Sequence, residues 1–357
     1  MKKFASLLLL LIPMNMMAQV EVTAFNAGMA EGVTYFLPDT RLEFTVRAQC
    51  VTSTPGEFAR YADRFLRITD AITDESKEWL LTGVDVKSTG VPNETNAFTV
   101  SINDNVASNL RLTNDGIIQA VNRDVEPVEI PEKQQRKVKR VDPRVYFTEE
   151  ILQSTSTAKM AELIAKEIYA IRESKLSITR GTADNMPKDG LSMQLVLDEL
   201  DLQERTLTEL FTGHVDTVSY ECNIRFMPTV ESDTARAVLF RFSRKMGILE
   251  RDDLAGSPVY YDFDVKEKIE VPQVEETNKL LKLLKKGEVK KEGICYIVPG
   301  RAKLKIYYPG KIFFEDELPF AQFGTVEVLS KKLFGKNSNT KVLFDTATGG
   351  IISIDNK

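Results

Sequence analysis

Two apolar stripes at helical spacing sit in the middle of a chain that otherwise alternates like β-structure, and they constrain the fold most. The first covers about Thr157–Lys175 and places Met160, Leu163, Ile164, Ile168 and Ile171 on one face. The second covers about Leu191–Phe211 and places Met193, Val196, Leu197, Leu200, Leu207 and Leu210 inward, with Gly213 as its stop. Between them, residues 179–190 are polar and carry Gly181, Pro187 and Gly190. Such a connector predicts an antiparallel helical hairpin turning at Met186–Asp189. Ser156 stands where the first helix needs an N-cap.

The flanks read as strands. Gly32–Leu37 and Leu42–Gln49 are β-rich runs, and Pro38-Asp39-Thr40-Arg41 between them predicts a hairpin or tight corner. Thr54, Pro55 and Glu57 form a capping box. It predicts a helix starting there, with Phe58, Tyr61, Ala62, Phe65 and Leu66 on the buried face. Strands are expected around 79–87 and 97–102. Leu110-Arg111-Leu112 and Ile117–Val121 flank Asn114-Asp115-Gly116, a strong hairpin signal. After the helices, 215–227, 237–242 and 259–265 alternate as strands, and Asp252-Asp253 lies in the loop between the last two. The last 65 residues return to β-patterning and close on a glycine hairpin at 348–350.

Two stretches break these patterns. Residues 123–143 hold Pro127, Pro131 and Pro143 with Arg136, Lys137, Lys139 and Arg140, and read as an exposed linker. Residues 271–292 are Lys-rich, with a weak helical pattern at Leu280, Leu281, Leu283 and Leu284. The expected organisation is α+β. An N-terminal β-rich module with one helix (19–122) and a C-terminal β module (293–357) bracket the helical hairpin plus strands of 144–270. The two β modules share a pattern: Gly32-Val-Thr-Tyr35-Phe-Leu-Pro38 resembles Gly293-Ile-Cys-Tyr296-Ile-Val-Pro299, and each module closes on a glycine hairpin. An internal repeat explains this, and so does the general recurrence of strand-Pro-strand units in β-rich chains.

The N-terminus carries an address. Lys2 and Lys3 precede the apolar run Leu7–Ile12, Pro13 breaks it, and Ala18-Gln19 offers a small-residue cleavage site. A cleaved secretory signal over 1–18 is expected, because the apolar run is too short to span a bilayer. The expected location is therefore the periplasm or cell envelope. Losing Lys2 and Lys3 moves the net charge from −5 to −7. That leaves no basic excess of the kind that binds nucleic acid. No other segment is apolar enough to cross a membrane as a helix.

The chemistry in the sequence is sparse. His214 is the single histidine, just past the Gly213 stop, and reads as a surface residue or a helix-end cation. There is no Gly-x-Ser-x-Gly elbow, no phosphate-binding glycine loop and no zinc-ligand spacing. Ser156-Thr-Ala-Lys159 fits Ser-x-x-Lys, but the accompanying Lys-Thr-Gly is absent. Cys50, Cys222 and Cys295 are expected as small buried residues on strands, with at most one bridge among them. No catalytic, cofactor or metal residue is assigned and no cofactor is expected. The carboxylate groups Asp252-Asp253 and Glu315-Asp316-Glu317 leave one enzymatic alternative, a hydrolase acting on carbohydrate. The leading expectation is a non-enzymatic binding or structural protein whose partner is an envelope component or another protein.

Several motifs occur together and in order: Tyr35-Phe-Leu-Pro38, Phe58-Ala-Arg-Tyr-Ala-Asp-Arg-Phe-Leu66, Ile171-Arg-Glu-Ser174, Met186-Pro-Lys-Asp-Gly190, Leu207-Thr-Glu-Leu-Phe-Thr-Gly213, Phe240-Arg-Phe-Ser243, Pro299-Gly-Arg-Ala302 and Ala321-Gln-Phe-Gly324. In these the chain resembles a family of exported Bacteroidota proteins classed as a domain of unknown function, over nearly the whole mature length. The resemblance implies export from a Gram-negative cell and brings no catalytic residues with it.

Overall fold

A computed structural model describes residues 22–24, 32–101, 109–125, 140–183, 189–229, 232, 234–267, 293–334 and 340–355. The signal segment, most of the 123–143 linker, the Lys-rich stretch and residues 184–188 of the helical turn lie outside them. The fold is α+β. Its three antiparallel sheets and helical hairpin follow from the two periodicities in the sequence.

The first sheet contains β1 (Val22–Ala24), β2 (Gly32–Thr54), β3 (Ser76–Ser101) and β6 (His214–Phe226) in the order β1-β3-β2-β6. No corner forms at Pro38. β2 runs straight through as one 23-residue strand, with every second residue buried from Thr40 to Cys50. Pro38 is tolerated because it sits beside a register shift, opposite Pro92, where the ladder is already irregular. Nearby, Phe36 keeps its register opposite Ala97, and on the other edge of β2 its amide donates to the Gly116 carbonyl at 2.9 Å. β3 likewise joins the two strands expected at 79–87 and 97–102.

The capping box at Thr54 is also overruled. β2 continues to Thr54, opposite His214, so that residue is extended backbone. A short 3-10 turn at Ala59–Tyr61 and then α1 (Ala62–Leu66) follow. The expected stripe survives in part: Phe58, Ala62 and Leu66 are buried. Phe58 is anchored by its amide, which donates to the Leu210 carbonyl at 2.8 Å.

The second sheet has the order β11-β10-β9-β7-β8. It comprises β7 (Thr234–Ser243), β8 (Gly247–Leu249), β9 (Ser257–Glu267), β10 (Gly293–Tyr308) and β11 (Lys311–Ser330). It packs on the first sheet. Leu42, Phe44, Val46 and Val84 from one side meet Phe240, Phe263, Leu304 and Phe320 from the other. The third sheet is ordered β13-β12-β5-β4. Here β4 (Leu110–Leu112) and β5 (Ile118–Val121) form the expected Asn-Asp-Gly hairpin, with Gly116 at φ 81°. β12 (Lys341–Phe344) and β13 (Ile351–Asp355) form the closing hairpin. β5 pairs with β12, Val121 opposite Val342, so the N- and C-terminal β stretches share one sheet. Their similar sequences occupy similar settings: Phe36 donates to Gly116 and Ile297 donates to Gly349, both at 2.9 Å. Pro38 and Pro299 each lie at a register shift.

The helical part contains α2 (Glu149–Leu152), α3 (Thr157–Arg180) and α4 (Gly190–Thr212). α3 runs five residues past its expected end, to where Gly181 at φ 71° closes the final turn. Asp189 caps α4 by accepting from the Ser192 amide at 2.8 Å. The buried stripe of α3 holds, with Leu163, Ile164, Ile168 and Ile171 all inside. α4 is buried only toward its C-terminal end, at Leu207 and Phe211, where Phe58 packs on Phe211. Val196, expected inward, is exposed. Leu207→Ala should therefore lower the unfolding free energy by ~2–5 kcal/mol. Val196→Ala should change it by less than ~0.5 kcal/mol. Urea titration of both variants checks the asymmetry, and equal losses would place the core elsewhere.

Cys50 and Cys295 are buried on β2 and β10, as expected, but Cys222 on β6 is exposed. Its alternating context is real, yet the second sheet does not extend over that part of β6. None of the three is joined in a disulfide.

Candidate functional site

The exposure of Cys222 belongs to a larger feature. Alternate residues of β6 face the same way as the buried residues of β2. Register across the three strands puts Tyr220, Ala48 and Leu81 in one row and Val218, Cys50 and Trp79 in the next. Asp216, Thr52 and Lys77 form the third. This face is apolar core where the second sheet covers it, near Phe226. Toward His214 no described element covers it: Val218 is 44% and Tyr220 45% exposed. The result is an open apolar ledge at the rim of the two-sheet core.

Trp79 anchors the ledge. Its ring lies 4.6 Å from that of Tyr220, centroid to centroid, tilted by 50°. Its amide donates to the Arg244 carbonyl at 2.7 Å, which fixes the β7–β8 turn beside it. Gly247 in that turn has φ 88°, and a Cβ there would come within 2.9–3.0 Å of the indole. The indole therefore packs on bare backbone, and Met246 next to it is 57% exposed.

Polar groups continue the same face beyond the aromatics. Arg140 donates to Asp216 at 2.7 Å, and His214 Nε2 lies 3.6 Å from the other Asp216 oxygen. Lys77 stands across Thr52 from Asp216. Arg244 and Lys245 extend from the β7–β8 turn. Among the described residues, Lys77, Arg244 and Lys245 take part in no ion pair.

A concavity of about 440 Å³ lies along α4, lined by Arg172, Asp201, Glu204, Arg205, Thr208, Glu209 and Thr212. Much of its charge is internally matched. Glu204 accepts from Arg172 at 2.6 Å and from Lys175 at 2.7 Å, and Lys175 also pairs with Asp201. Burial alone would raise the Glu204 pKa, but these cations outweigh it and hold the carboxyl below the ordinary glutamate range. This groove braces α3 against α4.

The groups singled out in the sequence stay apart. Ser156 occupies the N-cap position of α3, its carbonyl accepting from Met160, while Lys159 turns to Glu162 at 3.4 Å. Glu315 is held by Lys303 at 2.7 Å and Lys305 at 3.3 Å. Those lysines depress its pKa, opposite to what a general acid needs. Asp253 accepts from the Ala255 amide in its loop. No group of three or more His, Cys, Asp or Glu among the described residues is placed to hold a metal ion. None of the described helices is long and apolar enough to cross a membrane. His214→Gln should leave any hydrolytic activity within a few-fold, whereas loss of a general base costs ~10²–10⁴-fold. Initial rates on the purified variant decide this.

Sequence reasoning missed the ledge. Its alternation at Val218, Tyr220 and Cys222 was visible and reads as core; only the extent of the covering sheet reveals it as surface.

A family model described as a domain of unknown function (DUF4831) matches residues 31–352. No curated protein and no solved structure matches the chain. The chain belongs to the DUF4831 family.

Proposed function

We propose that this DUF4831 chain is an exported, envelope-associated binding protein that engages its partner at the Trp79–Tyr220 ledge and performs no chemical turnover. The uncovered aromatic ledge carries this reading. Large apolar side chains left open at the rim of a packed core, next to polar groups held in place, are what a recognition surface requires. Tyr and Trp suit it because they offer a broad apolar area with a polar edge. The charged n-region, short apolar core and Ala18-Gln19 site support export. In the hydrolase alternative Glu315 could not be the general acid, because its two lysine partners favour its ionised form.

Two measurements test this reading. A panel of envelope glycans and peptides is screened by thermal shift and by product analysis. A ligand should raise the melting temperature without being consumed, and Tyr220→Ala should abolish the shift. Release of product would refute the reading. Separately, mass spectrometry of the exported protein should give a mature N-terminus within two residues of Gln19. A mature species that keeps Lys2 would remove the case for export.

A further inference from the structure

We infer that the ledge takes an anionic glycan, its sugar ring on Tyr220 and its acidic groups against the neighbouring cations. This rests on the reading of the ledge as a binding face and adds the class of ligand.

The shape of the ledge suits a sugar ring. Tyr220 lies open at the end of a short aromatic step braced by Trp79, and Trp79 is itself fixed on Gly247. A rigid ring costs little ordering entropy when it is covered. The C–H face of a pyranose is apolar and packs on such a ring, while its hydroxyls must keep polar partners. The next row of the same face supplies them at Asp216 and Lys77, about 7 Å along the strand from Val218 and Trp79. His214 and Arg140 extend that polar row through Asp216.

The charge around the ledge suits an anion. The chain carries a net −5, yet Lys77, Arg140, Arg244 and Lys245 gather around the ledge. Strand alternation places the acids Asp216, already bound to Arg140, and Glu75, just before β3, on the face of the ledge, while Glu78 and Glu221 stand on the opposite face. A local cationic excess on an acidic protein favours an anionic ligand. Carboxylate or sulfate groups on a sugar polymer supply that charge at the spacing of single residues.

The size of the ledge suits a small ligand. Two aromatic rings and a few aliphatic side chains fall well short of the ~800 Å² per partner of a stable protein interface. They match one or two sugar rings.

The test is calorimetry on the full mature chain with dextran sulfate, polygalacturonate, uncharged dextran, polyacrylate and oligothymidylate. The two anionic glycans should bind at least about tenfold more tightly than dextran, and binding should weaken with added salt. Tyr220→Ala should weaken it about tenfold or more. Lys77→Glu with Lys245→Glu should weaken it and flatten the salt dependence. These positions are at the surface, so unchanged melting temperatures verify that the variants fold. Equal affinity for dextran overturns the inference while leaving the ledge as a binding face, as does Tyr220-dependent binding of a peptide from the functional screen. Equal affinity for polyacrylate reduces the effect to charge alone, and tighter binding of oligothymidylate makes it a nucleic-acid surface; both overturn it. Failure of both anionic glycans to bind also overturns it. If no ligand of either panel binds in a Tyr220-dependent way, the reading of the ledge as a binding face falls as well.

Discussion

Truncating Phe263 to alanine is expected to lower the unfolding free energy by ~3–5 kcal/mol. Phe263 on β9 is fully buried between the two large sheets. Its ring meets Phe320 edge-on at 5.3 Å and Phe226 edge-on at 5.8 Å, and lies 6.0 Å from Phe323. Removing it costs the transfer free energy of the ring, the edge-to-face contacts and a cavity that the surrounding β-strands cannot close. The ladders on both sides of β9 hold the backbone in place, so collapse into the gap is limited. Urea unfolding should show a lower midpoint at an unchanged slope. A loss under ~1 kcal/mol would mean the two sheets do not share this core.

Thr40→Val should cost ~2–4 kcal/mol although it conserves shape. Thr40 is fully buried on β2 and its hydroxyl does two jobs. It donates to the Ala347 carbonyl at 2.8 Å and accepts from the Ala321 amide at 2.9 Å. Ala321 needs that acceptor because β11 slips register against β10 between Thr325 and Phe320, where the ladder is interrupted. The Gln322 side chain completes the node by accepting from the Thr40 amide and donating to its carbonyl. Valine would strand the Ala321 amide and the Ala347 carbonyl in the interior. Thr40→Ser keeps the hydroxyl and should recover most of the loss. Equal destabilisation by Val and Ser would assign the effect to packing instead.

Elements with strong local signals were legible in the sequence. The Asn114-Asp115-Gly116 turn, the stripe of α3 and the Gly213 stop each depend on a few neighbouring residues. They appear where expected. Thr54 and Pro38 were misread because their local signals met a stronger tertiary partner. Thr54 is held extended by its pairing opposite His214, and Pro38 is absorbed at a register shift between β2 and β3. The pairing of β5 with β12 joins residues more than 200 positions apart and leaves no periodic trace. The ledge was hidden for a similar reason. Alternation along β6 marks which side of the strand is apolar, but whether that side is covered depends on where the β7–β8 edge ends. Val196 was misplaced in the same way: its stripe is correct, but the packed partner stops short of it.

Trp79 is the only tryptophan in the chain, so intrinsic fluorescence reads the ledge directly. Titrating the full chain with dextran sulfate should shift Trp79 emission in a saturable way, with the same midpoint as calorimetry. The shift should vanish in Tyr220→Ala. Calorimetric binding with no change in Trp79 emission would place the ligand elsewhere on the molecule and contradict the account.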